Sequence, residues 1–174
     1  MKPSYGRSIG ALLLVIAVLS LGLAPASHAK LTDPQKLVSF LKVQLPGWKV
    51  KDGYPKFERV KNKGQSYVEA QVIYTSGKST VTVVIMEGGG IAAEVAKVRK
   101  FALADNEKGY CRKTAVQGFE AVELYEKAKK TGYLFIFVAA ECLIPMEAKE
   151  VGSIKVLKDL ANKIDLPGLA AAVK

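Results

Sequence analysis

Val68–Met86 reads VEAQVIYTSGKSTVTVVIM, two β-rich runs that meet at Ser76-Gly77. Val68, Ala70, Val72 and Tyr74 alternate along the first run, and Val81, Val83 and Ile85 along the second, so each offers one apolar face at the period of a strand. With Ser76-Gly77 as a two-residue loop, Val72 faces Val81, Ala70 faces Val83 and Val68 faces Ile85. A slip of one residue would turn one strand's whole apolar set toward water, so pattern and turn reinforce each other. The hairpin sets the class: an antiparallel sheet.

A second β-rich region follows the same plan. FEAVELY at Phe119–Tyr125 leads through the charged turn Lys127–Gly132 into the apolar run Tyr133–Ala140, which reads as a central strand buried on both faces. Gly118 marks a bulge or bend before it. Cys142–Pro145 is expected to lead out of the sheet, and Asp105–Tyr110 to be a polar loop.

Helical periodicity surrounds these hairpins. Thr32 reads as an N-cap with Pro34 in the first turn and Gln35 at the capping-box position; Leu37, Phe40, Leu41 and Leu45 form the stripe of a helix that Pro46-Gly47 ends. Gly88-Gly89-Gly90 reads as a flexible connection into a second helix carrying Ile91, Val95, Val98 and Ala102. From about Lys149, the stripe Val151, Ile154, Leu157, Ala161 and Ile164 predicts a third, broken at Pro167-Gly168. Leu169–Val173 follows as a short terminal turn.

The expected fold is therefore α+β, an antiparallel sheet of about five to seven strands packed by amphipathic helices in the order α-β-β-β-α-β-β-α. VEAQVIY and FEAVELY share Glu-Ala and a final Tyr, which suggests a duplicated ββα unit with helices on one face about an approximate two-fold axis. This order of elements is similar to that of small α+β domains of the PsbP-like kind. The resemblance is one of architecture and carries no function or site residue with it.

The N-terminus places Lys2 and Arg7 before the apolar run Ile9–Leu23 and ends in Ser27-His28-Ala29, the pattern of a secretory signal peptide cleaved after Ala29. Residues 1–29 are thus expected to leave, with residues 30–174 forming one α+β domain in the periplasm or outside the cell. Lys30, not a cysteine, would follow the cut, so no lipid-modified N-terminus is expected. The full chain carries a net charge of +10. Loss of Lys2 and Arg7 leaves it still strongly basic.

The single histidine, His28, falls inside that leader. A mature chain without imidazole has no Ser-His-Asp or Cys-His nucleophile and no histidine general base, and neither a metal nor a cofactor is expected. Cys111 and Cys142 lack the spacing of a redox pair and read, in an oxidising compartment, as a structural disulfide. Closing a loop of roughly 30 residues, it would contribute about 3–4 kcal/mol. Gly77-Lys78-Ser79-Thr80 resembles the end of a phosphate-binding loop, but Val72 stands where that motif needs glycine and no helix follows.

What remains is a surface. Trp48–Lys63 interleaves Trp48, Tyr54 and Phe57 with Lys49, Lys51, Lys56, Arg59 and Lys61, either an edge strand defended by lysine or a polyanion-binding strip. The second candidate surface is the sheet face bearing Tyr67, Glu69, Gln71, Ile73 and Thr75. The leading expectation is a non-catalytic binding or accessory module of the cell envelope. Its partner would be an envelope protein, an anionic polymer or a membrane surface. The alternatives are a binder of anionic polymers or lipid headgroups through Trp48–Lys63 and a carboxylate-dependent hydrolase using Glu87, Glu123 or Glu141. Arg59, Arg99 and Arg112 are few for nucleic-acid recognition, which is not expected.

Overall fold

Nine strands, all antiparallel, form one sheet in a computed structural model that describes residues 31–62 and 65–173. The leader read in residues 1–29 lies outside the described residues. In chain order the elements are α1 (Pro34–Phe40), β1 (Lys49–Val50), β2 (Lys56–Asn62), β3 (Gln65–Ser76), β4 (Ser79–Glu87), a 3₁₀ turn at Gly89–Ile91, α2 (Ala92–Arg99), β5 (Ala104–Asn106), β6 (Gly109–Val116), β7 (Phe119–Glu126), β8 (Thr131–Ala139), β9 (Cys142–Lys149), α3 (Lys155–Ala161) and α4 (Leu166–Ala172). Across the sheet, β1 and β2 both lie on the outer side of β3, followed by β4, β9, β8, β7, β6 and β5. The α+β antiparallel class is as expected; strand number and order are not.

The β3–β4 hairpin keeps its faces and moves its turn. Tyr74 stands opposite Val81, Val72 opposite Val83 and Ala70 opposite Ile85, with Ser76 paired to Ser79 around the loop Gly77-Lys78. Because side chains alternate with period two, this two-residue displacement leaves every apolar group on its intended face. Gly77 has φ +57. Glycine adopts positive φ at the first position of a two-residue loop at the least steric cost, and the expected loop would have put Ser76 there.

The largest correction is β9. Cys142–Lys149 does not leave the sheet but returns through the turn Ala140-Glu141 and inserts between β8 and β4. Pro145 cannot donate to a ladder, so its place in a central strand needs a local gap in the pairing. Its partners on β4 lapse there, from Val83 opposite Met146 to Met86 opposite Leu143, while Phe135 of β8 still faces it. Leu143, Ile144, Met146 and Ala148 are all buried as a result.

Both faces of the sheet are covered. Val72, Val83, Ile85, Leu134, Ile136, Ile144 and Met146 pack beneath α1, α3 and α4, which contribute Leu37, Leu157, Leu160, Leu166 and Leu169. Val84, Met86, Val122, Phe135, Phe137 and Leu143 pack on the opposite face against Ile91, Val95 and Val98, with Phe101 behind them. Burial on two sides accounts for the apolar run of β8. It also removes the expected duplication: β4 and β8 are each antiparallel to β9, hence parallel to one another, whereas a two-fold axis normal to the sheet would make them antiparallel. After β4 comes a helix, after β8 a strand.

Element ends shift for identifiable reasons. Asp33, not Thr32, caps α1, its carboxylate accepting the Gln35 N–H at 2.9 Å. Thr32 instead donates its N–H to Glu87 Oε2 at 3.0 Å and its hydroxyl to the Ala172 carbonyl at 3.1 Å, tying the start of the described chain to β4 and α4. Helix α3 starts at Lys155 because β9 runs to Lys149. Asp105–Tyr110 belongs to the β5–β6 hairpin, and Gln117-Gly118, with φ of 50 and 84, is a two-residue turn and not a bulge. Gly88 is a site of close approach, since a Cβ there would lie 2.6 Å from the Ser66 carbonyl oxygen.

Gly132 is held by contact alone, because a Cβ would meet Ile154 Cγ2 at 2.5 Å. Gly132→Ala should cost about 1–3 kcal/mol by overpacking. Urea titration checks this; an unchanged midpoint would mean that the Ile154 turn yields freely.

The expected disulfide is not formed: Cys111 and Cys142 are free and buried. Cys111 packs with the α2 face and Cys142 with the opposite one. With β7 and β8 between their strands, the separation is at least ~14 Å, about twice what a disulfide spans. Maleimide labelling without reductant should modify both cysteines after denaturation and neither in the native chain. Absence of labelling after denaturation would restore the disulfide.

Candidate functional site

The basic strip predicted from sequence lies along one edge of the sheet. Among the described residues β2 pairs with β3 alone, from Lys56 opposite Gln71 to Asn62 opposite Gln65, and β1 continues the same edge with Lys49 opposite Thr75. Alternation then divides the strip. Phe57, Arg59 and Lys61 share the α1 face with Ala70, Val68 and Ser66, while Lys56 and Lys49 share the α2 face with Gln71 and Thr75. The strip wraps the edge.

Trp48 and Tyr54 are half-buried against the core and anchor it, and the Lys56 ammonium sits 5.0 Å above the Tyr54 ring. Lys49, Lys51, Lys56, Arg59 and Lys61 are exposed. Phe57 is 50% exposed and Val50, which the sequence reading passed over, 44%. Lys63 lies outside the described residues. Among the described residues the ion pairs are elsewhere, as in Lys97–Glu94, Lys155–Asp159 and Lys149–Glu147, and none involves these five cations. Asp52 and Glu58 only dilute the local charge.

Beside β2, a groove of about 630 Å³ is lined by Leu31, Asp33, Pro34 and Gln35 at the start of α1 and by Phe57, Glu58 and Arg59. Its two walls are distant in sequence. A local pattern could flag either wall but not their meeting.

The second predicted surface is less open. Tyr67, Glu69, Gln71, Ile73 and Thr75 are all half-buried, and Tyr67 packs against the α2 cluster. Burial, reinforced by Glu58 directly opposite, raises the Glu69 carboxyl above its ordinary range. Burial also raises the Tyr67 phenol, with Glu69 and Glu58 adding to it.

The three carboxylates singled out from sequence do not share a cleft. Glu87 stands opposite Cys142 and accepts the Thr32 N–H, which places it near Glu141, whose carbonyl accepts the Gly88 N–H at 2.9 Å. Glu123 is three strands away on β7, facing Leu134. It is fully buried, accepts the Nε–H of Arg112 and has the Lys158 ammonium 2.7 Å from Oε2. The Glu123 cluster was missed because FEAVELY reads as a strand with its acids in water. Arg112, directly opposite on β6, is the partner that permits burial. Among the described residues, no group of three or more His, Cys, Asp or Glu is arranged to hold a metal ion. Nor is any helix there long and apolar enough to cross a membrane.

Compared with known proteins, the chain matches no family model, no curated protein and no solved structure at a significant level.

Proposed function

We propose that this protein is a non-catalytic binding module of the cell envelope, exported after removal of residues 1–29, and that its working surface is the edge made by β1 and β2. The observation that carries this reading is the set Lys49, Lys51, Lys56, Arg59 and Lys61, exposed and without ion-pair partners among the described residues, around the exposed side chains of Phe57 and Val50. Cations left unneutralised along a low-dielectric edge attract anions over about a Debye length, ~10 Å at 0.1 M salt. The flanking apolar groups add contact area that charge alone lacks. The ligand class is anionic: an acidic polymer or lipid headgroups. A carboxylate hydrolase is less well supported, since Glu87 is engaged by Thr32 and Glu123 by two cations.

The test compares residues 30–174 with the K56Q/R59Q/K61Q variant for binding to polyglutamate and to anionic vesicles. Wild type should bind at low salt and release at ~1 M, where screening shortens to ~3 Å. The triple variant should bind at least about tenfold more weakly, a loss of ~1.4 kcal/mol. Equal binding by the variant would overturn the assignment of this edge.

A further inference from the structure

We infer that the outer edge of β2 accepts an acidic extended peptide as an added antiparallel strand, an inference that rests on the binding-module reading above. β2 is seven residues long and, among the described residues, paired on one side only. An unpaired edge of that length presents a row of backbone donors and acceptors, the usual template for strand addition. At the opposite edge of the sheet, β5 covers only Gly109–Cys111 of β6, and there Arg112 is committed to Glu123. The β2 edge has no such commitment among the described residues.

Charge selects the occupant. β2 carries Lys56, Arg59 and Lys61 against the single acid Glu58, so pairing with a second copy of itself would set one cationic strand against another. An acidic strand reverses the sign of that interaction. Distribution of the cations then separates a peptide from a membrane. Lys56 lies on one face of the sheet and Phe57, Arg59 and Lys61 on the other, so a flat bilayer meets one set while an added strand meets both.

The groove supplies side-chain specificity. It abuts β2 at Phe57 and Arg59, on the α1 face, where alternate side chains of an added strand would project. Opposite Lys61, Val60, Arg59, Glu58, Phe57 and Lys56 in turn, the complementary peptide places acid, apolar, acid, hydroxyl, apolar and acid. Glu-Val-Glu-Thr-Val-Glu satisfies all six positions.

The experiment uses residues 30–174 and three capped peptides: that sequence, the same sequence N-methylated at alternate residues, and its Glu-to-Lys counterpart. Anisotropy at low salt and amide hydrogen exchange of β2 are measured, with polyglutamate and phosphatidylglycerol vesicles alongside. The acidic peptide should bind at least about tenfold more tightly than the N-methylated one, through backbone hydrogen bonds, and should slow exchange in β2. The Lys peptide should not bind. Equal binding of the N-methylated peptide without β2 protection would overturn strand addition while leaving the anionic edge intact, as would binding to vesicles alone. Failure of every anionic probe would overturn the underlying reading as well.

Discussion

The R112M/K158M double variant should lose far more stability than Glu123→Gln, although all three residues belong to one cluster. The reason lies in which member is buried. Glu123 is fully enclosed, whereas the Arg112 and Lys158 side chains remain 56% and 38% exposed. Removing the acid leaves two cations able to turn to water. Removing the cations leaves a carboxylate with neither water nor partner, and an orphaned buried charge of the Glu123 kind costs about 3–5 kcal/mol. Glu123→Gln forfeits charge-assisted contacts and should cost about 1–3 kcal/mol. Urea unfolding of both variants decides the order. A larger loss for Glu123→Gln would mean that the cluster is more hydrated than its geometry implies.

Alkaline pH should destabilise the fold steeply, with Cys142 a main contributor. Burial among apolar side chains, with the nearby Glu87 carboxylate adding to it, pushes the Cys142 thiol from 9.0 up to about 12. The unfolded chain releases this proton near pH 9 and the folded chain near pH 12. The thiol's contribution is thus intact below pH 9 and lost as pH climbs toward 12, at about 1.4 kcal/mol per pH unit. Tyr133 acts in the same direction, its phenol raised first by burial and then by Glu147 and Glu126. Between pH 9 and 11, wild type should lose about 2–3 kcal/mol through Cys142 alone, and Cys142→Ala should flatten the profile by that amount. Parallel profiles for the two proteins would show that Cys142 ionises with equal ease in both states.

The sequence was most informative where one physical rule acted alone. Alternation in Val68–Met86 identified two strands and their inner faces, because only a period of two buries Val72 and Val83 together. It was blind to a two-residue slip, which preserves that period; the φ of Gly77 decides the register instead. Strand β9 was hidden by Pro145, whose missing N–H falls where pairing with β4 lapses. The expected oxidising compartment made Cys111 and Cys142 a plausible bridge, and nothing in the intervening residues reveals that their side chains point to opposite faces. The lysine edge was legible as composition. Its groove was not, because Leu31–Gln35 meets β2 only through the packing of α1.

Titration of ¹⁵N-labelled residues 30–174 with polyglutamate, followed by amide chemical shifts, decides whether the edge made by β1 and β2 is the working surface. The largest shifts should fall on Lys49–Val50 and Lys56–Lys61, fading across β3. Largest shifts on α3, around Lys155 and Lys158, or on the β7–β8 turn at Lys127–Lys130, would contradict it.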